Sequence, residues 1–179
     1  MKKERDMRVA NSTEYRDTRY LESEEMKISS LTISVFCHET EDLDKIKTSI
    51  EDLFPSVKEA DVRLEKVKGH FGNYITLLEY KFGKSSASTI FEEIVSKISS
   101  TDMIVIVTTL STRMDKSKLY LRFDKQYLVG RKEITLKEGN DVVRVIVSFN
   151  EPFKEVTKEL KQIASNRALH KETGTAKLS

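Results

Sequence analysis

The sequence predicts an α+β protein in which helices pack on a β-sheet. Three observations predict it. Several segments alternate apolar and polar residues with period two, as a strand with one buried face requires. Others carry one apolar stripe at helical spacing, as a helix lying on a sheet requires. The order strand, helix, two strands, two helices, three strands, helix then gives the helices a sheet to cover, with the other sheet face free to meet a partner.

The first strand is "LTISVFCH", in which Leu31, Ile33, Val35 and Cys37 alternate with Thr32, Ser34, Phe36 and His38. Leu43, Ile46, Ile50 and Leu53 then fall at helical spacing, with Glu41 and Asp42 at the positive N-terminal end and Pro55 as the stop. "ADVRLEKV" and "NYITLLEY" read as two strands joined by the hairpin loop "GHFGN". "SSASTIFEEIVSKI" is a helix with serines available to cap it. "STDMIVIVTTLSTRM" is ambiguous by itself: its β-branched run favours a strand, its Ser-Thr-Asp start a helix. "KLYLRF" is a strand, and "RKEITL" and "DVVRVIVSF" read as a hairpin about the turn "KEGN". Phe153, Val156, Leu160 and Ile163 make one face of a closing helix. Residues 1–27 and 167–179 carry no apolar period and read as flexible tails, which leaves 28–166 as a single domain.

Composition narrows the function classes. The chain of 179 residues is large enough to bury a core without a disulfide or metal, and Cys37 is its one cysteine. A net charge of +2 argues against a globally basic nucleic-acid binder, so any such site must be a local patch. No apolar run approaches the length that spans a bilayer, and the N-terminus lacks the apolar core of a signal peptide. The expected setting is the cytoplasm, with no membrane partner and no cofactor. No Gly-x-Ser-x-Gly elbow is present, and Cys37 and His38, as strand neighbours, point to opposite faces.

Three motifs carry candidate chemistry. In "GHFGN", Gly69 and Gly72 permit a tight turn, successive amides can cradle an anion, and His70, Phe71 and Asn73 add polar and stacking groups; a plain hairpin accounts for the same residues. In "FCHETED", His38, Glu39, Glu41 and Asp42 suggest either metal ligands or an acidic first helical turn. In "YLRFDKQYLVGRK", basic side chains outnumber acidic ones and are interleaved with Tyr120, Phe123 and Tyr127. Arg122, Lys125, Arg131 and Lys132 can meet phosphates, and Tyr120 shares a strand face with Arg122. A solvated strand whose charges pair with each other is the alternative.

Taken together, "SVFCHETED", "GHFGNYI" and "LRFDKQ", followed by "DVVRVIV", resemble an archaeal family of small RNA-binding proteins labelled predicted exosome subunit. The likeness runs from about Leu31 to Phe149, with Phe123 at a position where a smaller aliphatic is usual. It implies a fold like that of ribosomal protein L5, with a mixed sheet and helices mainly on one face. It also implies a helix for "DMIVIVTTL" and RNA as partner. His38, Glu39, Gly69 to Asn73 and Arg122 to Gln126 are the matched positions.

The expected function is therefore non-catalytic RNA binding through Phe36, His38, Gly69, His70, Gly72, Asn73, Tyr120, Arg122, Lys125, Gln126, Arg131 and Lys132, in company with RNA-processing or ribosomal proteins. A metal-dependent nuclease or phosphotransfer enzyme built on His38, Glu39, His70 and Asp124 is one alternative. A scaffold or homodimer contacting protein through a sheet face or edge is the other.

Overall fold

A computed structural model describes residues 26–69 and 72–175, with side chains to Arg167. Six strands form one sheet. They are β1 (Ile28–His38), β2 (Asp61–Lys68), β3 (Tyr74–Phe82), β4 (Met114–Asp115), β5 (Lys118–Asp124) and β6 (Val142–Phe149), in the order β2-β3-β1-β6-β5-β4. Every pairing is antiparallel, where a mixed sheet was expected. The α+β class holds.

The helices are α1 (Leu43–Leu53), α2 (Lys84–Lys97), α3 (Ser100–Thr108), α4 (Leu110–Arg113), α5 (Lys125–Arg131) and α6 (Phe153–Thr175), with a 3-10 turn at Pro55–Glu59. Alternation sorts the sheet into two faces. Leu31, Ile33, Val35, Leu78, Tyr80, Phe82, Leu119, Leu121, Val143, Val145 and Val147 are buried on one face, against Ile46, Ile50, Ile90, Phe91 and Ile94 of α1 and α2. The ring of Phe91 meets that of Phe149 edge to face, with centroids 6.2 Å apart. The other face carries Ser30, Thr32, Ser34, Phe36, Arg144, Ile146, Tyr120 and Arg122, each half-buried or exposed.

Local signals explain most element ends. Asp42 caps α1 by accepting from the Lys45 amide at 3.0 Å, and Pro55 follows the helix end. The ambiguous segment is helical because Ser99 caps it at the Asp102 amide and because Met103 and Ile106 turn inward, while α3 packs against α6. Gly83, not a serine, stands before α2. At the far end of α2 the Arg167 guanidinium donates to the carbonyl of Ile98 and to that of Val95, which also accepts from the Ile98 amide. α6 thus continues past 166, through Thr175, where a tail was expected.

One stretch departs from the sequence reading. "RKEITL" is not a strand. Asp124 accepts from the amides of Gln126 and Tyr127, so the chain enters α5 directly from β5. Lys132, in the left-handed region at φ 57°, ends that helix. Of the expected strand only a single bridge remains, Leu136 to Phe123, flanked by Asp124 N–H to Thr135 and Lys137 N–H to Arg122. The "KEGN" turn, with Gly139 at φ 115°, therefore leads out of a loop rather than a hairpin.

Phe123 is fully buried beneath this bridge. Truncating it to alanine should cost about 3–5 kcal/mol of stability, by the usual cost of a large core cavity. Chemical denaturation of Phe123→Ala beside the parent chain measures this directly.

Candidate nucleic-acid interface

The open face is built by register. Ser34 of β1 lies opposite Arg144 of β6, and Arg144 lies opposite Arg122 of β5, so two guanidinium side chains stand on neighbouring strands. The next row is Thr32, Ile146, Tyr120. Phe36 sits two residues further along β1, and the Arg144 guanidinium carbon lies 5.2 Å from its ring centroid. His38 ends the same strand on the same face and is exposed.

Like charges opposite each other on adjacent strands are unfavourable. The arrangement is only partly neutralised. Arg122 reaches Glu138 at 3.5 Å, a carboxylate it shares with Arg113 at 3.2 Å. No carboxylate among the described residues pairs with Arg144, and its buried Nε has no hydrogen-bond partner. This face thus offers two adjacent cations, two aromatic rings (Phe36 and Tyr120), and a floor of small hydroxyl side chains. An anion bridging the two guanidinium groups would relieve the repulsion.

The other expected residues are distributed as follows. Gly69, Gly72 and Asn73 form the β2–β3 turn, at the sheet end where His38 lies. The Gly69 amide donates to the Asn73 carbonyl at 2.7 Å, and the Gly72 amide to the Gly69 carbonyl at 3.1 Å. Gly72 has φ 84°, the left-handed region that favours glycine, and a Cβ on Gly69 would meet Asn73 Oδ1 at 2.6 Å and displace that side chain, so the turn itself accounts for both glycines. His70 and Phe71 lie outside the described residues. Arg131 stacks on Tyr127, 4.6 Å from its centroid, on α5. Lys132 turns to the helix layer, donating to Ser49 Oγ at 3.1 Å and pairing with Asp52 at 2.9 Å. It does not share the face of Arg122.

Lys125 requires a correction. It is 1% exposed. Its ammonium meets Asp141 at 2.6 Å, Glu41 at 2.7 Å and the Phe36 carbonyl at 3.0 Å, so all three donors are engaged and no phosphate can reach them. Gln126 reinforces the cluster, donating to Glu41 at 3.4 Å and Asp141 at 3.2 Å. Sequence reasoning missed this clamp, although "HETED" and "DKQ" supplied its parts. Burial alone pulls the Lys125 pKa down, but the hydrogen bonds to Asp141 and Glu41 outweigh it and hold it above the usual lysine value. Burial pushes both carboxyls up, but the Lys125 hydrogen bond and charge, joined by the His38 amide at Glu41 and Gln126 at Asp141, together outweigh it and hold both below their usual values.

The alternative metal set loses a member. Asp124 Oδ1 caps α5, and Oδ2 pairs with Lys137 at 2.9 Å. Among the described residues no three His, Cys, Asp or Glu side chains gather as metal ligands.

Comparison with known proteins follows the same residues. The protein-family model described as RNA binding matches residues 30–149, which span the sheet from Ser30 of β1 to the end of β6 with the helices between. The chain belongs to this RNA-binding family. An uncharacterised protein of Methanocaldococcus jannaschii is 33% identical over 129 residues, covering 68% of this chain and 85% of the relative. An RNA-binding protein of Pyrococcus abyssi is 29% identical over 127 residues, covering 67% and 80%. A crystal structure of a Sulfolobus solfataricus protein superposes with a TM-score of 0.71 at 42% identity, covering 77% of this chain and 98% of that one. The residues matched by the family model, 30–149, contain the open face and the clamp.

The clamp makes stability pH-dependent. Glu41 and Asp141 release protons more readily folded than unfolded, so their contribution is complete above the unfolded carboxyl pKa of about 4 and is lost as pH falls through the lower folded values. Lys125→Met should destabilise the protein at neutral pH by about 3 kcal/mol, by analogy with broken buried pairs. It should also flatten the acid limb of the stability profile. Urea melts across an acid pH series, with and without the substitution, test both expectations.

Proposed function

We propose that the protein is a non-catalytic RNA-binding protein and that RNA lies across the open face of the sheet. The observation that carries this reading is the Arg122–Arg144 pair, two cations opposed on adjacent strands with one carboxylate partner between them. A phosphate between the guanidinium groups supplies the missing counter-charge, and Phe36 and Tyr120 offer ring faces on which unpaired bases stack. His38 and the Gly69–Asn73 turn extend the surface at one end of the sheet. Gln126 and Lys125 hold that end in place without touching RNA. Membership in the RNA-binding family supports the reading, as does the similarity to the P. abyssi RNA-binding protein.

The remaining expectations attach to the same surface. A cytoplasmic role in RNA processing beside an exosome, or in a ribosome-related assembly, is compatible with a small domain that keeps one sheet face for its own core and carries cations and aromatic rings on the other. The proposed likeness to ribosomal protein folds rests on the sequence resemblance.

Phosphate neutralisation fixes the salt behaviour. Arg122→Ala and Arg144→Ala should each reduce the slope of log affinity against log salt by about 0.7 on single-stranded RNA. Phe36→Ala or Tyr120→Ala should weaken binding by about 1–3 kcal/mol for each base no longer stacked while leaving the slope unchanged. Fluorescence anisotropy with labelled oligouridylate, repeated over a salt series, separates the two effects. Unchanged affinity in the double arginine variant would remove this face from the proposal.

A further inference from the structure

The two edges of the sheet are treated differently. β4 is two residues long, and the rest of the β5 edge is bridged by the segment around Leu136, so that side presents little free backbone. β2 is eight residues long and exposed on both faces. Val62 lies opposite Tyr80 and Leu64 opposite Leu78, which places both on the helix-side face. Tyr80 and Leu78 are fully buried, yet Val62 is 49% and Leu64 56% exposed, because the helix layer stops over β3. A long edge strand with uncovered apolar side chains is a pairing site.

The charge pattern of β2 selects the occupant. Its sequence is Asp61, Val62, Arg63, Leu64, Glu65, Lys66, Val67, Lys68. We propose that β2 pairs antiparallel with β2 of a second copy of this chain, about a twofold axis that is perpendicular to the sheet and passes between the two Leu64 residues. In that register Leu64 faces Leu64 of the second copy, Arg63 faces Glu65 in both directions, and the Lys66 stem covers Val62. Arg63 and Glu65 already meet at 2.8 Å within one strand, so the dyad assembles four alternating charges. A shift of two residues either way sets Glu65 against Glu65 or Arg63 against Arg63. The axis keeps both open faces on the same side, giving one continuous surface across two copies. That last consequence, unlike the pairing, rests on the RNA reading.

The test uses the full chain, freed of nucleic acid, in sedimentation velocity across a micromolar concentration series. The parent chain should dimerise. Leu64→Asp should be monomeric, and Arg63→Glu should weaken dimerisation about tenfold or more, since two attractive pairs become two repulsive ones. Arg63→Glu combined with Glu65→Arg should restore it. Both positions are solvent-exposed in the monomer, and circular dichroism melts establish that the variants remain folded. A monomeric parent chain, a dimer unaffected by Leu64→Asp, or a charge swap that fails to recover pairing overturns the inference. So does a monomer that dimerises only after deletion of residues 1–25, since the edge would then be held by the chain's own N-terminus. Salt-dependent oligouridylate binding by a monomeric parent chain would overturn the pairing and leave the RNA reading standing. A dimer that binds no oligouridylate would do the reverse.

Discussion

The Lys125 ammonium is the point on which the working end of this molecule depends. It ties together four segments distant in sequence: the end of β1 through the Phe36 carbonyl, the entry to α1 through Glu41, its own helix α5, and the loop before β6 through Asp141. Without it, two nearby carboxylates would repel each other at the edge of the core. With it, the backbone that carries Phe36 and His38 is held in register with the strand that carries Arg122. The cation expected to meet RNA instead fixes the frame on which other cations are presented.

Because α1 and α2 pack their apolar stripes on one side, the opposite side of the sheet is, among the described residues, a surface of strand side chains that are half-buried or exposed. Hydroxyl-bearing residues on β1 keep it low in relief, and the guanidinium and aromatic groups on β1, β5 and β6 stand above that floor. The division of labour follows directly from strand alternation: the same eleven residues of β1 supply both the centre of the core and the centre of the open face.

Much of this was legible in the chain. Alternation in "LTISVFCH" and "KLYLRF" assigned each residue to its correct face, and the stripe in α2 and the proline after α1 marked their elements. The opaque stretch was 124–137, for a definite reason. Asp124 looks like a strand residue or a ligand until its capping of α5 is seen, and a lysine rather than a glycine takes the left-handed position that ends the helix. Arg144 was overlooked because "DVVRVIV" reads as core. Its importance comes from lying beside Arg122, a relation between strands that no local pattern contains. Lys125 and Lys132 were misjudged for the same reason, since a charge excess in sequence does not show which cations have already found carboxylates in the fold.

The one thiol of the chain, Cys37, points into the core at 4% exposure, where burial first and the nearby Glu41 charge second raise its pKa. A thiol that stays protonated and shielded reacts slowly with maleimides, oxidants and heavy atoms. The natural protein is therefore a quiet background for site-directed chemistry. A cysteine introduced at Thr32 or Ser34 would report from the exposed side of the sheet as the sole reactive sulfhydryl, so spin labels, fluorophores or photocrosslinkers could be positioned there without first removing a native residue.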